Sequence, residues 1–148
     1  DLCWRLKNQG YTIFYVPQSV VYHVGGGTLP NENSFKLFLN YRNNLFLLYK
    51  NLPGKKLYGV LFMRILLDWM SAFAYLFQGK RENFAAIFKS YRDFIKSLKS
   101  LTRIRANNPP PKTGFPSQMY HGSIIYQYFI KKRRRFFQLK FPPGLYQK

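Results

Sequence analysis

The chain has 148 residues, enough for one domain with a modest core, and its 47% hydrophobic content excludes a disordered tail. Lys and Arg number 24 against 5 Asp and Glu, and the net charge of +19 predicts an anionic partner: nucleic acid, anionic lipid or a phosphorylated carrier. The single cysteine, Cys3, excludes an internal disulfide and a cysteine metal cluster, and it is compatible with a reducing cytoplasm.

The first 30 residues predict a short helix, two strands and a loop. Residues 1–9 carry apolar side chains at helical spacing and precede Gly10, a residue typical of the position just after a helix. Residues 11–16 and 19–24 are rich in β-branched and aromatic side chains, which favours strands. Residues 25–30 contain three glycines and a proline and therefore predict a loop.

Three helices are predicted next. Asn33 or Ser34 is a suitable N-cap for a helix that runs to about Lys50 with a broad apolar side. A second helix is predicted over residues 57–77. The third, residues 80–103, has apolar side chains on one face and Lys and Arg on the other, the clearest amphipathic pattern in the chain.

Residues 57–77 form the most apolar stretch, and its polar residues Arg64, Asp68 and Ser71 lie at i, i+4 and i+7. This spacing predicts one narrow polar stripe on a helix buried almost all round. Three environments stay open. The helix could lie in a membrane interface, pack in an ordinary core, or span the bilayer, where Arg64 and Asp68 would each cost about 2.5–3.5 kcal/mol.

The remainder of the chain predicts a linker and a tail. Residues 107–116 are proline-rich, and residues 131–135 are five consecutive basic residues followed by an aromatic, proline-containing end. The aromatic content, 20% of the chain, suits stacking on bases and equally suits rings at the headgroup level of a bilayer. Because no nucleic-acid fold signature is present, the membrane surface is the favoured partner.

Ordered segments of the chain resemble the end of the catalytic domain of family 2 glycosyltransferases with the GT-A fold. The segments are Asp1-Leu2-Cys3-Trp4-Arg5-Leu6-Lys7, Gly10-Tyr11, Tyr15-Val16-Pro17 and Val20-Val21-Tyr22-His23. Residues 41–44 also look like this family, and residues 123–129 look like bacterial members that act on surface polysaccharides. The fold class expected from the resemblance is a predominantly α, α/β fragment: one short helix and two strands, then amphipathic helices and an irregular basic tail.

The resemblance implies an enzyme that transfers a sugar from a nucleotide-sugar donor to a lipid-linked or polysaccharide acceptor. Its divalent cation, Mg or Mn, neutralises the departing diphosphate, and His23 matches a histidine that helps to hold it. Arg42 and Asn43 are the expected substrate-binding residues, since a guanidinium matches phosphate geometry. The family's general base lies in an acidic pair just upstream of the segment matching Asp1, so these 148 residues alone are expected to be inactive.

The membrane-binding residues are expected on the basic side of the third helix. They are Lys89, Arg92, Lys96, Lys99 and Arg103. These residues would hold the enzyme peripherally on the cytoplasmic face of the bacterial inner membrane, with no specific nucleic acid bound. Two alternatives stay open: a non-catalytic basic module that binds anionic membrane or RNA through residues 80–135, and an integral membrane hairpin.

Three regions follow from these expectations. Residues 1–50 are expected to end the GT-A catalytic domain, residues 51–106 to form amphipathic membrane-associating helices, and residues 107–148 to form the proline-rich linker and the basic, aromatic tail.

Overall fold

A computed structural model describes residues 1–22, 33–111, 120 and 122–140. The chain divides into two compact units, Asp1–Lys112 and Thr113–Lys148. The described helices of the first unit are α1 (Leu2–Asn8), α2 (Ser34–Asn51), α3 (Gly54–Phe77) and α4 (Arg81–Asn107). In the second unit the described elements are a π-helical turn, Tyr126–Ile130, and a 3-10 turn, Phe136–Gln138. The three-region division stays a prediction.

The expected α/β fold class is wrong, because the described residues are helical and contain no strand. Residues 11–22, which hold most of the two predicted strands, are exposed, and the Tyr11 and Ser19 amides make turn bonds to the Leu6 and Val16 carbonyl oxygens. Strand propensity reflects packing against a neighbouring strand, and no described residue supplies one. Residues 23 and 24, the end of the second predicted strand, lie outside the described residues.

Helix α2 begins where the sequence predicts. The Asn33 side-chain oxygen accepts from the backbone N–H groups of Phe35 at 2.8 Å and Lys36 at 3.4 Å, so Asn33 is the cap. The helix ends at Asn51, because Leu52 is extended and Pro53 follows it.

Glycines end α1 and α3. Gly10 and Gly79 have φ of 88° and 76°, in the left-handed region that glycine occupies without strain. After α3, the Lys80 N–H donates to the Tyr75 oxygen at 2.9 Å and the Gly79 N–H to the Leu76 oxygen at 3.0 Å, the Schellman pattern. The same pattern closes α1, so the predicted helix end at Gly10 is confirmed.

The three long helices run up, down and up. Arg42 pairs with Asp93, and further along both helices Tyr49 shares a 2.8 Å hydrogen bond with Thr102, so α2 and α4 run in the same direction. Helix α4 packs mainly on α2 and also on α3. The buried apolar residues are Phe38, Leu45, Leu52, Leu57, Ala72, Ala86, Ile87 and Leu101.

The expectation that residues 57–77 are buried almost all round is wrong. In α3 only Leu57, Asp68 and Ala72 are buried. Ten large apolar side chains of the helix are exposed. Two helices can cover only one side of a third helix, so an apolar composition all round leaves most of its surface outside this small core.

Candidate membrane-docking surface

The polar stripe of α3 faces the other two helices. The Arg64 guanidinium donates to the Asp68 carboxylate at 2.8–2.9 Å, and the Tyr91 hydroxyl of α4 donates to the same carboxylate at 2.8 Å. The Arg64 guanidinium also lies over the Tyr41 ring of α2, 5.3 Å from its centroid. Arg64 and Asp68, the two charged residues in the middle of α3, are therefore partnered within the bundle, and the Asp68 side chain is only 4% exposed.

Two tyrosines of this network have raised pKa values. Burial raises the pKa of Tyr91, and the hydrogen bond to Asp68 raises it further. Burial is also the main reason why the pKa of Tyr41 is raised. Both phenols thus stay protonated at neutral pH, and Tyr91 remains a hydrogen-bond donor to Asp68.

The opposite side of α3 is apolar. Phe62, Leu66, Met70, Phe73 and Phe77 recur every three or four residues and are 45–88% exposed; we call them the apolar face of α3. By length and composition alone α3 could cross a membrane, since 24 residues extend about 36 Å. Only 11% of the most apolar 18 residues of α3 is buried, whereas the core helix of a soluble protein is mostly buried.

The basic side of α4 is exposed. The five predicted membrane-binding residues, Lys89, Arg92, Lys96, Lys99 and Arg103, all have exposed side chains. A shallow groove along this side is lined by Lys96, Lys99, Ser100, Arg103, Ile104 and Asn107. The groove therefore offers three cations and two neutral polar groups to an anion.

The apolar and basic surfaces share an edge. Trp69 of α3 packs against Phe88 of α4 with the ring centroids 6.4 Å apart, and Phe88 is 54% exposed. Ile95, 64% exposed, lies seven residues further along α4, on the same side as Phe88. Arg92 and Lys99 follow these two residues by one turn, so cations border the apolar surface.

The predicted substrate-binding residues lie together on α2. The Arg42 guanidinium donates to the Asn43 side-chain oxygen at 3.1 Å and lies 3.8 Å from an Asp93 oxygen. Its side chain is 29% exposed and also stacks over Phe38 and Phe46. The contacts tie Arg42 to α4, and its role in substrate binding stays a prediction.

The predicted metal ligand, His23, lies outside the described residues. Among residues 1–22, 33–111, 120 and 122–140, no group of His, Cys, Asp and Glu side chains could hold a metal ion. The divalent cation therefore stays a prediction from the resemblance.

A polar cluster where α1 meets α2 was not predicted. The Asp1 carboxylate accepts from Lys50 at 2.8 Å and Asn51 at 2.9 Å and pairs with Arg5 at 3.3 Å. Burial lowers the pKa of Lys50, and the positive charge of Arg5 lowers it further. A cavity of about 130 Å³ adjoins the cluster. No sequence pattern links Asp1 to residues about fifty positions away. Likewise, no pattern predicted that Tyr41 and Tyr91 contact the polar stripe of α3.

No protein-family model, curated protein or solved structure matches the chain.

Proposed function

We propose that this chain docks a membrane-associated glycosyltransferase onto an anionic membrane, with α3 lying in the interface and the basic side of α4 on the lipid headgroups. The observation that carries the docking proposal is the inverted polarity of α3. Arg64 and Asp68, the two charged residues in the middle of the helix, are partnered within the bundle, and the five-residue apolar face is open to the surroundings. An exposed apolar surface bordered by cations fits a bilayer that presents anionic headgroups over hydrocarbon.

Free-energy magnitudes support an interfacial position. Burying a large apolar side chain contributes about 1.5–3 kcal/mol, so five partly exposed ones supply on the order of 5 kcal/mol. Insertion normally costs about 2.5–3.5 kcal/mol for each charge at the membrane centre. Because Arg64 and Asp68 are paired and face α2 and α4, the apolar face can enter the interface without carrying them in.

The basic side of α4 supplies the electrostatic part. Each Lys or Arg near an anionic surface contributes about 1 kcal/mol, and salt screens this contribution. The five exposed basic residues therefore favour anionic over zwitterionic lipid, whereas the apolar face favours both.

The transferase part rests on the resemblance of residues 1–23, 41–44 and 123–129 to family 2 glycosyltransferases. The proposed activity is transfer of a sugar from a nucleotide-sugar donor to a lipid-linked or polysaccharide acceptor, assisted by Mg or Mn. The proposed location is the cytoplasmic face of the bacterial inner membrane. Docking would hold the enzyme where a lipid-linked acceptor is embedded.

Vesicle flotation tests the docking proposal. The variant Leu66→Asp/Met70→Asp places two carboxylates on the apolar face of α3, and its control, Asn40→Asp/Asn44→Asp, places the same charges at the same spacing on exposed positions of α2. We expect the first to lower the partition coefficient roughly a hundredfold and the control less than threefold, because only the first removes buried apolar area. An equal loss of binding in both variants would mean that docking depends on net charge and not on the apolar face of α3.

Two further measurements separate the alternatives. Release of the protein from membranes by alkaline carbonate would exclude a bilayer span for α3. The non-catalytic basic module would be favoured if the chain binds RNA as tightly as anionic vesicles and Leu66→Asp/Met70→Asp weakens neither interaction. For the transferase itself, loss of sugar transfer by the whole enzyme on His23→Ala is the direct test.

A further inference from the structure

The tail carries a dense, unbalanced positive charge among exposed apolar side chains. Residues 122–140 contain six basic residues and no acidic one. All of their apolar side chains except the half-buried Leu139 are exposed, and none of these described residues is buried. The exposed large apolar residues are Ile124, Ile125, Tyr126, Tyr128, Phe129, Ile130, Phe136 and Phe137.

The chain reverses direction after the π-helical turn, which brings residues 131–135, the basic run, back against that turn. Lys132 has φ of 56°, and the next residue, Arg133, donates from its backbone N–H to the Gln127 oxygen at 2.9 Å. The Arg133 guanidinium also donates to the Gln127 side-chain oxygen at 3.1 Å. These bonds fix the start of the basic run against the residues that carry the exposed rings.

Cations and rings alternate on the resulting surface. Cationic groups lie over three rings at 5.7–5.9 Å from the centroids. The pairs are Lys131 over Tyr126, Arg134 over Tyr128, and Arg135 over Phe137. Each charged head is thus held beside an apolar ring, an arrangement that places the ring at headgroup depth when the cation contacts a phosphate.

We propose that residues 122–140 form a second membrane-contacting element, which binds the phosphates of anionic lipids through Lys131–Arg135 and inserts its apolar side chains between the headgroups. This element shares no residue with the surface on α3 and α4, and the proposal does not depend on the transferase activity. Because both elements belong to one chain, attachment of either raises the effective concentration of the other at the membrane.

The apolar side chains favour lipid over RNA. A single-stranded RNA site presents aromatic faces on which bases stack, whereas isoleucines offer no stacking face. Here Ile124, Ile125 and Ile130 are 58–64% exposed beside the rings. Branched aliphatic side chains gain free energy by leaving water for acyl chains and gain nothing comparable from a base edge.

The test uses the full chain and vesicles of phosphatidylcholine with or without phosphatidylglycerol, in the Leu66→Asp/Met70→Asp background that disables the apolar face of α3. In that background we expect residual binding that needs the anionic lipid and is lost in 0.5 M salt. Replacing Lys131, Lys132, Arg133, Arg134 and Arg135 by Gln should weaken it at least tenfold, because each basic residue near an anionic surface adds to the attraction. Replacing the three arginines by Lys, which keeps the charge, should weaken it less than threefold.

Two matched variants identify the surface. Phe129→Ser/Ile130→Ser keeps all charges and should weaken binding several-fold if these side chains insert. Replacing the five basic residues of α4 by Gln removes the same number of charges as the tail variant and leaves the tail element intact. The proposal is overturned if the tail Gln variant binds vesicles like its parent, or if it loses RNA binding while vesicle binding is unchanged. Failure of the α3 variant to weaken docking would count against the proposed function and not against the tail.

Discussion

Helices α3 and α4 are the two longest elements of the described chain, and they distribute charge in opposite ways. Helix α4 buries Ala86, Ile87 and Leu101 against its neighbours and exposes most of its Lys and Arg side chains, as a surface helix of a soluble protein does. Helix α3 turns Arg64 and Asp68 towards its neighbours and leaves its apolar face exposed.

The difference indicates which environment each helix faces, water or an apolar partner. In water a polar outer face lowers the free energy of a helix. A contiguous exposed apolar face on a soluble protein therefore indicates an interaction surface. The Arg64–Asp68–Tyr91 network explains how α3 tolerates two charges in an apolar sequence without presenting either on its outer side. If the comparison is correct, substitutions on the inner side of α3 change stability, and substitutions on its outer side change membrane binding.

The largest effect is expected for Asp68→Ala. The substitution removes the partner of Arg64 and of the Tyr91 hydroxyl in a largely buried position. We expect it to lower the free energy of unfolding by about 3 kcal/mol, because the Tyr91 hydroxyl and the Arg64 guanidinium both lose the acceptor that they share. Urea unfolding followed by circular dichroism measures this; a loss below about 1 kcal/mol would mean that the network contributes little.

The next effect compares one substitution on both sides of α3. Leu57 is 3% exposed and Leu66 is 45% exposed. We expect Leu57→Ala to cost about 2–3 kcal/mol of stability, since it removes buried methyl groups and leaves a cavity, and Leu66→Ala to cost less than about 0.5 kcal/mol. In vesicle flotation the order should reverse, with Leu66→Ala alone weakening binding. A similar stability loss for both variants would mean that the outer side of α3 is covered.

The helices could be read from the sequence because their signals are local. The Asn33 cap, the stop before Pro53 and the glycines at 10 and 79 each act within a few residues of the chain, and the structure has helix ends at or beside them. The i, i+4 spacing of Arg64 and Asp68 likewise placed them on one side of α3.

The signals that failed depend on distant residues. Aromatic and β-branched side chains in residues 11–22 favour a strand only when another strand pairs with them, and the described chain has none. The apolar composition of α3 predicted burial, but composition does not specify how many helices cover it. The pairing of Asp68 with Tyr91, and of Asp1 with Lys50 and Asn51, joins residues 23 to 50 positions apart, which periodicity does not report.

A smaller effect is expected for Tyr91→Phe, and it depends on pH. Losing the hydrogen bond to Asp68 should cost about 1 kcal/mol at neutral pH. Because the pKa of Tyr91 is raised in the folded state, its stabilisation is fully present below the unfolded pKa of about 10 and is lost as the pH rises above it. Wild-type stability should therefore fall above about pH 10, and less steeply in Tyr91→Phe. Tyr58→Phe, at a 78% exposed position, is the control and should leave the profile unchanged.

The smallest effect is expected for Asp93→Asn, which tests the ordinary surface behaviour of α4. The Arg42–Asp93 pair has a 3.8 Å separation, and both side chains are about one third exposed. Solvent screens such a pair, so the loss of stability should stay below about 0.5 kcal/mol. Arg42 would keep its contacts with Asn43, Phe38 and Phe46. A loss as large as that of Asp68→Ala would show that charge on α4 is also structural, and the contrast between the two helices would then no longer separate stability from membrane binding.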